Sequence, residues 1–244
     1  MHVEKYKVRG VSLNIAIIKA GGIGNRMGSD IPKQFLLVRN KPIIIYTLEA
    51  FQHHPNIDVI LVVCVDGWQD NLRAYAKKFN IDKLKAIVTG GATSLRSIKA
   101  GLIEASRLYG PDDMVVIHDG NRPLVSQEII SDVLAKASVN DAAVAAIPCD
   151  DEVMVSDEIA SVSRKYLDHK ILYRIQTPDA YRLGYACELF KKASDEQLDR
   201  IGATNILAID MGKTVNLAMG STINIRLTTP ADIDLFKALS YGSI

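Results

Sequence analysis

Gly21, Gly22, Gly24 and Gly28 fall within one short stretch that also contains Arg26, and Lys33 follows in Pro32-Lys33-Gln34-Phe35. A glycine-dense turn lets backbone N–H groups approach a ligand closely. With two cations beside it, the pattern suits a polyphosphate: backbone donors for the oxygens, fixed positive charge for the anion. Two familiar phosphate loops fail against it. A Walker loop needs Gly-Lys followed by Ser or Thr, and here Gly28 is followed by Ser29. The dinucleotide fingerprint needs a third glycine where Met27 stands, and an acid closing the second strand about 20 residues on. The first acid to end an apolar run is Asp66, far too late. The basic pair favours a triphosphate over a dinucleotide.

Other chemistry-bearing residues lie further along. Asp119 follows the apolar run Met114–Ile117 and precedes Arg122-Pro123. A carboxylate at the carboxyl end of a strand suits Mg²⁺, which would bridge phosphate oxygens and neutralise charge in the transition state. His118 reads as a packed, hydrogen-bonded strand-end residue. Arg122 reads either as a phosphate ligand or as the partner of a nearby acid. Gly90-Gly91 with Ser97 forms a second glycine turn whose backbone and hydroxyl could meet the edge of a base, with Ser94 capping the helix that follows. No Ser/His/Asp or Cys/His nucleophile arrangement is present.

The elements that must position these residues alternate. Strands are predicted at Leu13–Ile18, Val59–Val65, Ala86–Val88, Met114–Ile117 and Ala142–Ile147, with helices at Pro42–Phe51, Trp68–Phe79, Ser94–Tyr109 and Gln127–Ala137. This order implies an α/β fold with a mostly parallel central sheet and helices on both faces. The pattern breaks over residues 150–175, a polar stretch whose short alternating pieces at Val153–Val155 and Ile159–Val162 read as a protruding β-arm, a lid or a dimerisation device. Helices resume at Gly184–Lys192 and Ile206–Met211, strands at Thr214–Leu217 and Ile223–Leu227. A last helix at Pro230–Ser240 is capped by Thr229.

The chain has 244 residues, 48% hydrophobic and 23% charged, with net charge +1. These values suit a soluble globular enzyme folded as a single domain over 1–244. They give no sign of nucleic acid or an anionic membrane as partner. Met1–Ser12 has no apolar core of signal-peptide length, and no run approaches a membrane span. Cys64, Cys149 and Cys187 are scattered and odd in number, which fits a reducing, cytoplasmic setting.

Taken in order, the glycine loop, Pro32-Lys33-Gln34-Phe35, Gly90-Gly91 with Ser97, His118-Asp119-Gly120-Asn121-Arg122-Pro123, Gln176-Thr177-Pro178 and Asn224-Ile225-Arg226-Leu227-Thr228-Thr229-Pro230-Ala231-Asp232 resemble the cytidylyltransferases for methylerythritol 4-phosphate and ribitol 5-phosphate. The resemblance covers nearly all of the chain after Leu13. It implies a Rossmann-like nucleotidyltransferase fold, a homodimer joined through the arm, and Mg²⁺-dependent transfer of CMP from CTP to a polyol phosphate. By resemblance, Arg26 and Lys33 would hold and polarise the triphosphate, joined by Arg226 as a catalytic cation, and Asp119 would hold the metal. Ala20, Gly21, Gly91 and Ser97 would surround the cytosine, with Gly22, Gly24 and Arg122 completing the nucleotide site. A transferase acting on a phosphate already ionised at neutral pH needs no general base, which agrees with the missing nucleophile arrangement.

The acceptor side departs from the family. Asp151 is followed by Glu152 where the family has a threonine that contacts the acceptor phosphate, and His169 stands where an arginine is usual. Thr204 is followed by Asn205 instead of an acid, and Arg226 replaces a lysine. On the nucleotide side, Lys19 replaces a small or apolar residue and Ser94 a common arginine. A carboxylate facing a phosphate repels it, and a histidine is only partly charged at neutral pH. The CTP half therefore reads as kept and the acceptor half as rebuilt. Alternatives are a nucleotidyltransferase using another triphosphate or another phosphorylated acceptor for surface polysaccharide, and an inactive nucleotide-binding homologue.

Overall fold

The computed structural model describes residues 12–22, 31–157 and 162–240. Gly24, Arg26 and part of the second arm strand expected at Ile159–Val162 lie outside them. The chain begins with β1 (Asn14–Ala20), a 3-10 turn at Lys33–Phe35, the two-residue strands β2 (Leu37–Val38) and β3 (Lys41–Pro42), and α1 (Ile43–Gln52). Then come β4 (Val59–Cys64), α2 (Gln69–Lys78), β5 (Leu84–Thr89), α3 (Ser94–Leu108), β6 (Met114–Asp119), α4 (Gln127–Asn140) and β7 (Ala142–Pro148). The arm is β8 (Val153–Ser156) and β9 (Ser163–Leu167). The chain closes with β10 (Tyr173–Arg182), α5 (Leu183–Lys192), α6 (Asp195–Arg200), α7 (Thr204–Asp210), β11 (Asn216–Met219) and α8 (Pro230–Leu239).

Seven strands form one sheet in the order β11-β7-β10-β6-β1-β4-β5. β1 runs parallel to β4 and β6, β4 to β5, and β7 to β11, whereas β10 is antiparallel to both neighbours. Side chains alternate along each strand. On β1, Ala16, Ile18 and Ala20 pack towards α1, α2 and α4, while Ile15 and Ile17 pack towards α3, α5 and α7. Each fully buried Ile or Leu in these layers contributes roughly 1.5–3 kcal/mol. The expected helices on both faces are present, and the arm is a separate two-stranded sheet.

The differences from the sequence reading have local causes. β10 escapes a hydrophobicity scan because Gln176-Thr177-Pro178-Asp179 interrupts it, and the register shifts there, between Ile175 and Asp179. α6 is short and set by a capping box at Ser194. Residues 223–227 are not a strand: their alternation comes from a loop whose Leu227 is buried against Phe236 of α8. The arm's second strand lies at Ser163–Leu167. The cap of α3 is Thr93, whose Oγ1 accepts from the Arg96 N–H at 3.3 Å, and not Ser94. Thr229 caps α8 as expected, with Asp232 completing a capping box.

Candidate active site

A cleft opens at the carboxyl ends of β1, β5 and β6, the edge where open α/β sheets bind ligands. Ala20, Gly21, Gly22, Gly91 and Ser97 form one side of it, and Lys19, Lys33, Asp119 and Arg226 supply its charge. Ser97 ties the glycine walls together. Its Oγ accepts from the Gly91 N–H at 3.1 Å and donates to the Gly91 carbonyl at 3.2 Å. A Cβ built on Gly21 would come within 3.2 Å of that hydroxyl, and one on Gly90 within 3.0 Å. A side chain at either position would push Ser97 or the facing glycine aside by a few tenths of an ångström.

Each cation is positioned by buried neighbours. Beside Lys33, Gln34 is buried and donates through Nε2 to the Ala20 carbonyl at 2.7 Å and the Gly22 carbonyl at 3.1 Å. Phe35 stacks on Trp68 with ring centroids 4.6 Å apart. The 3-10 turn carrying Lys33 is thus pinned to the glycine loop. Arg226 sits between two anchors. Asn224, fully buried, donates to the Thr177 carbonyl at 2.8 Å, and the Leu227 N–H donates to the Asn121 carbonyl at 2.9 Å. Asn121 returns the contact through Nδ2 to the Leu227 carbonyl at 2.6 Å. Gln176 brackets the preceding turn, donating to the Ser221 carbonyl at 2.8 Å and accepting from the Ser221 N–H at 3.1 Å. Gln176, Thr177, Asn121 and Asn224 hold the site's residues in place. In the sequence they stood out as motif members without a task.

Asp119 is the one carboxylate among the described residues lining the cleft. Its backbone N–H donates to Thr177 Oγ1 at 3.1 Å. Lys19 Nζ lies 2.8 Å from Oδ1 and Arg122 Nε 3.3 Å from Oδ2. Burial alone would raise this carboxyl's pKa, but the two cations outweigh it and hold it well below the usual carboxylate range. Arg122 also donates through Nη1 to the Asn224 carbonyl at 2.6 Å and is buried, and its pairing with Asp119 is one of its two expected readings. His118 is buried against Phe51 with Nε2 3.1 Å from the Arg122 carbonyl, and burial lowers its pKa to about 4. It is the packed strand-end residue expected.

The expected metal fits this arrangement poorly. Among the described residues no three His, Cys, Asp or Glu side chains gather as a metal site. Each Asp119 oxygen already faces a cation, so a divalent ion at either would sit beside fixed positive charge. Asp179 lies on the same sheet face, buried, accepting from the Tyr181 hydroxyl at 2.7 Å. Burial pushes its carboxyl up to about 6, against the Tyr181 hydrogen bond and the Lys19 charge.

The expected acceptor residues are not in this cleft. Asp151 and Glu152 are exposed on the arm, and His169 lies in the 3-10 turn that leads from the arm into β10. His169 Nδ1 is 3.4 Å from Glu152 Oε1, so the two residues that depart from the family pattern meet each other. Thr204 is buried at the start of α7 and does not line the cleft. Cys64 and Cys149 are buried and form no disulfide, and burial raises the Cys64 thiol to about 12, which makes it a poor nucleophile.

Comparison with known proteins follows the same outline. The model of the 2-C-methyl-D-erythritol 4-phosphate cytidylyltransferase family (IspD) matches residues 14–240. A ribitol-5-phosphate cytidylyltransferase of Lacticaseibacillus paracasei is 41% identical, over 91% of this chain and 96% of its own. A 2-C-methyl-D-erythritol 4-phosphate cytidylyltransferase of Syntrophus aciditrophicus is 36% identical, over 92% and 94%. The crystal structure of the Francisella tularensis 2-C-methyl-D-erythritol 4-phosphate cytidylyltransferase superposes with a TM-score of 0.78 at 27% identity, covering 93% of this chain and 99% of that one. A sheet with one reversed strand, a glycine-walled cleft charged by lysine and arginine, and matches across more than nine-tenths of the chain all lead to one assignment: the protein belongs to the IspD family of cytidylyltransferases, enzymes of the nucleotidyltransferase class with a Rossmann-like fold.

Proposed function

We propose that this cytidylyltransferase moves CMP from CTP to a small polyol phosphate, with ribitol 5-phosphate the first candidate and 2-C-methyl-D-erythritol 4-phosphate the second, releasing pyrophosphate. The observation that carries the reading is the convergence of Gly21, Gly22, Gly91 and Ser97 with Lys33 and Arg226 in one cleft. The 41% identity to a ribitol-5-phosphate enzyme favours the first candidate.

In this reading Ala20, Gly21, Gly91 and Ser97 take the cytosine. Lys33 and Arg226, with Arg26 from the same glycine loop, take the triphosphate. An acceptor phosphate has its second pKa near 6, so it is largely dianionic at pH 7 and needs no base. One of its oxygens forms a bond to the α-phosphorus as the bond from that phosphorus to the bridging β-phosphate oxygen breaks. Pyrophosphate leaves with the electron pair. The protein contributes alignment and positive charge where negative charge builds up. No step is assigned to the expected Mg²⁺, because Lys19 and Arg122 already flank Asp119.

The arm supports a homodimer. Met154, Tyr166, Ile171 and Tyr173 are exposed large side chains on residues 150–175. Joining two copies there would let Asp151, Glu152 and His169 serve the other copy's acceptor end, which their absence from their own cleft otherwise leaves unexplained. Three free cysteines favour a cytoplasmic setting, and no helix among the described residues is long and apolar enough to cross a membrane.

Pyrophosphate release, measured with CTP over a panel of polyol and sugar phosphates, tests the reading. Turnover with one polyol phosphate is expected. Turnover with UTP or GTP but not CTP would sink the cytidylyl assignment, and CTP binding with no turnover on any acceptor would favour an inactive homologue. A second reading, a different phosphorylated acceptor, draws on the Glu152–His169 pair and is scored by the same panel. Sedimentation velocity tests the dimer.

A further inference from the structure

Lys19 has no task in the nucleotide reading, yet it stands at the centre of the charged wall. It follows Ile15 and Ile17 on the same face of β1, so an ammonium extends an otherwise apolar stripe. Its side chain is only 16% exposed. Burying a charge costs stability unless it is paired, and an apolar residue of similar length is often the more stable choice. Strand register fixes its partner. Lys19 on β1 lies opposite Asp119 on β6, which brings Nζ to 2.8 Å from Oδ1. Ser94 Oγ is 3.5 Å away on the other side, at a position where the resemblance expects an arginine. An ammonium has three donors. Asp119 and Ser94 account for two among the described residues, and Lys19 lines the cleft with Lys33 and Arg226.

We propose that Lys19 is a resident cation of the triphosphate site: its ammonium stays on Asp119, meets the phosphates of CTP, and supplies there the charge that a divalent ion would otherwise bring. The inference rests on the reading of the cleft as a CTP site. It makes nucleotide binding by this chain largely independent of metal. It also gives the Lys19 and Ser94 departures one cause: positive charge is delivered from β1 instead of from the start of α3.

Isothermal titration of CTP into the full chain, with Mg²⁺ or with EDTA, tests it. The wild type is expected to bind with affinities within about threefold in the two buffers. Lys19→Met should lose at least about tenfold in EDTA, the scale of one charged hydrogen bond, and recover with Mg²⁺. Lys19→Arg should keep the wild-type pattern. A wild type that needs Mg²⁺ by tenfold or more, or a Lys19→Met chain that binds CTP in EDTA as tightly as wild type, overturns the proposal while leaving the cytidylyltransferase reading in place. Failure of wild type to bind CTP in either buffer overturns the reading of the cleft, and this proposal with it. Should Lys19→Met not fold by circular dichroism, Lys19→Gln replaces it, and the wild-type comparison alone still decides.

Discussion

Around the cleft, the charged side chains that line it are each set by a buried neighbour. Lys33 is flanked by buried Gln34 and Phe35, Arg226 lies between buried Asn224 and Leu227, and Asp119 is held by Lys19, Arg122 and Thr177. Along the arm the pattern reverses. Every residue of β9 is exposed, and in the Glu152–His169 pair Glu152 is exposed and His169 half-buried. In the proposed transfer, a rigid cradle would keep the charge around the α-phosphorus fixed, because close placement of charge is what such a site supplies. An exposed arm changes its side chains at little expense in stability, since surface substitutions usually stay within about 0.5 kcal/mol. Two of the departures from the family pattern, Glu152 and His169, fall on the arm, where change is cheap; Asn205, buried beside Asp179, and Arg226, in the cleft, do not.

If that contrast is real, Lys33→Ala should lower kcat/KM between tenfold and a thousandfold, about 1.4–4 kcal/mol, with the fold intact. Steady-state kinetics with CTP check it, and unchanged turnover would remove Lys33 from the cradle. Asn224→Ala should destabilise the chain by about 1–3 kcal/mol in urea, because it strips buried acceptors of their donor. It should also lower kcat by loosening Arg226. A loss of stability with normal kcat would make Asn224 a packing residue only.

Asp179 gives a smaller effect with a defined sign. Its folded pKa is raised from 3.8 to about 6, so the fold favours the neutral acid. That contribution is fully present below the unfolded value and is lost as pH rises through about 6. Asp179→Asn should therefore gain on the order of 1–2 kcal/mol at pH 7.5 and next to nothing below about pH 3. Unfolding at the two pH values decides it, and an equal effect at both would mean that the carboxyl does not titrate as described. The smallest effect belongs to the arm. Glu152→Gln and His169→Gln should each change stability by less than about 0.5 kcal/mol and leave KM for CTP unaltered, while KM for the acceptor moves. A shift in KM for CTP would end the separation of the two regions.

Much of the sheet was legible because its central strands are continuous apolar runs and its helices keep their period. β10 was not, because a Gln-Thr-Pro-Asp segment in the middle of a strand reads as a loop until its register break is seen. Lys33, Ser97, Asp119 and Arg226 were found by type and order and do line the cleft. The Lys19–Asp119 pair was invisible, since residues a hundred positions apart become neighbours only through strand register. That Arg122 pairs with Asp119 was one of two readings the sequence left open, and the contact is seen only in the fold. Asp151, Glu152 and His169 were carried over by position, and position along the chain did not show that they lie outside this cleft.

The reversed direction of β10 has a consequence for where the arm stands. β7 ends, the arm follows, and the chain re-enters the sheet at Tyr173. Because β10 opposes β6, with Asp179 beside Ile117 and Arg182 beside Met114, its first residues lie past the carboxyl end of β6, near Asp119. A parallel β10 would have begun at the opposite rim, roughly 20 Å away for a six-residue strand. Inverting one strand lets the excursion between β7 and β10 grow, shrink or change sequence on the reactive rim without a crossover and without touching the hydrophobic layers beneath.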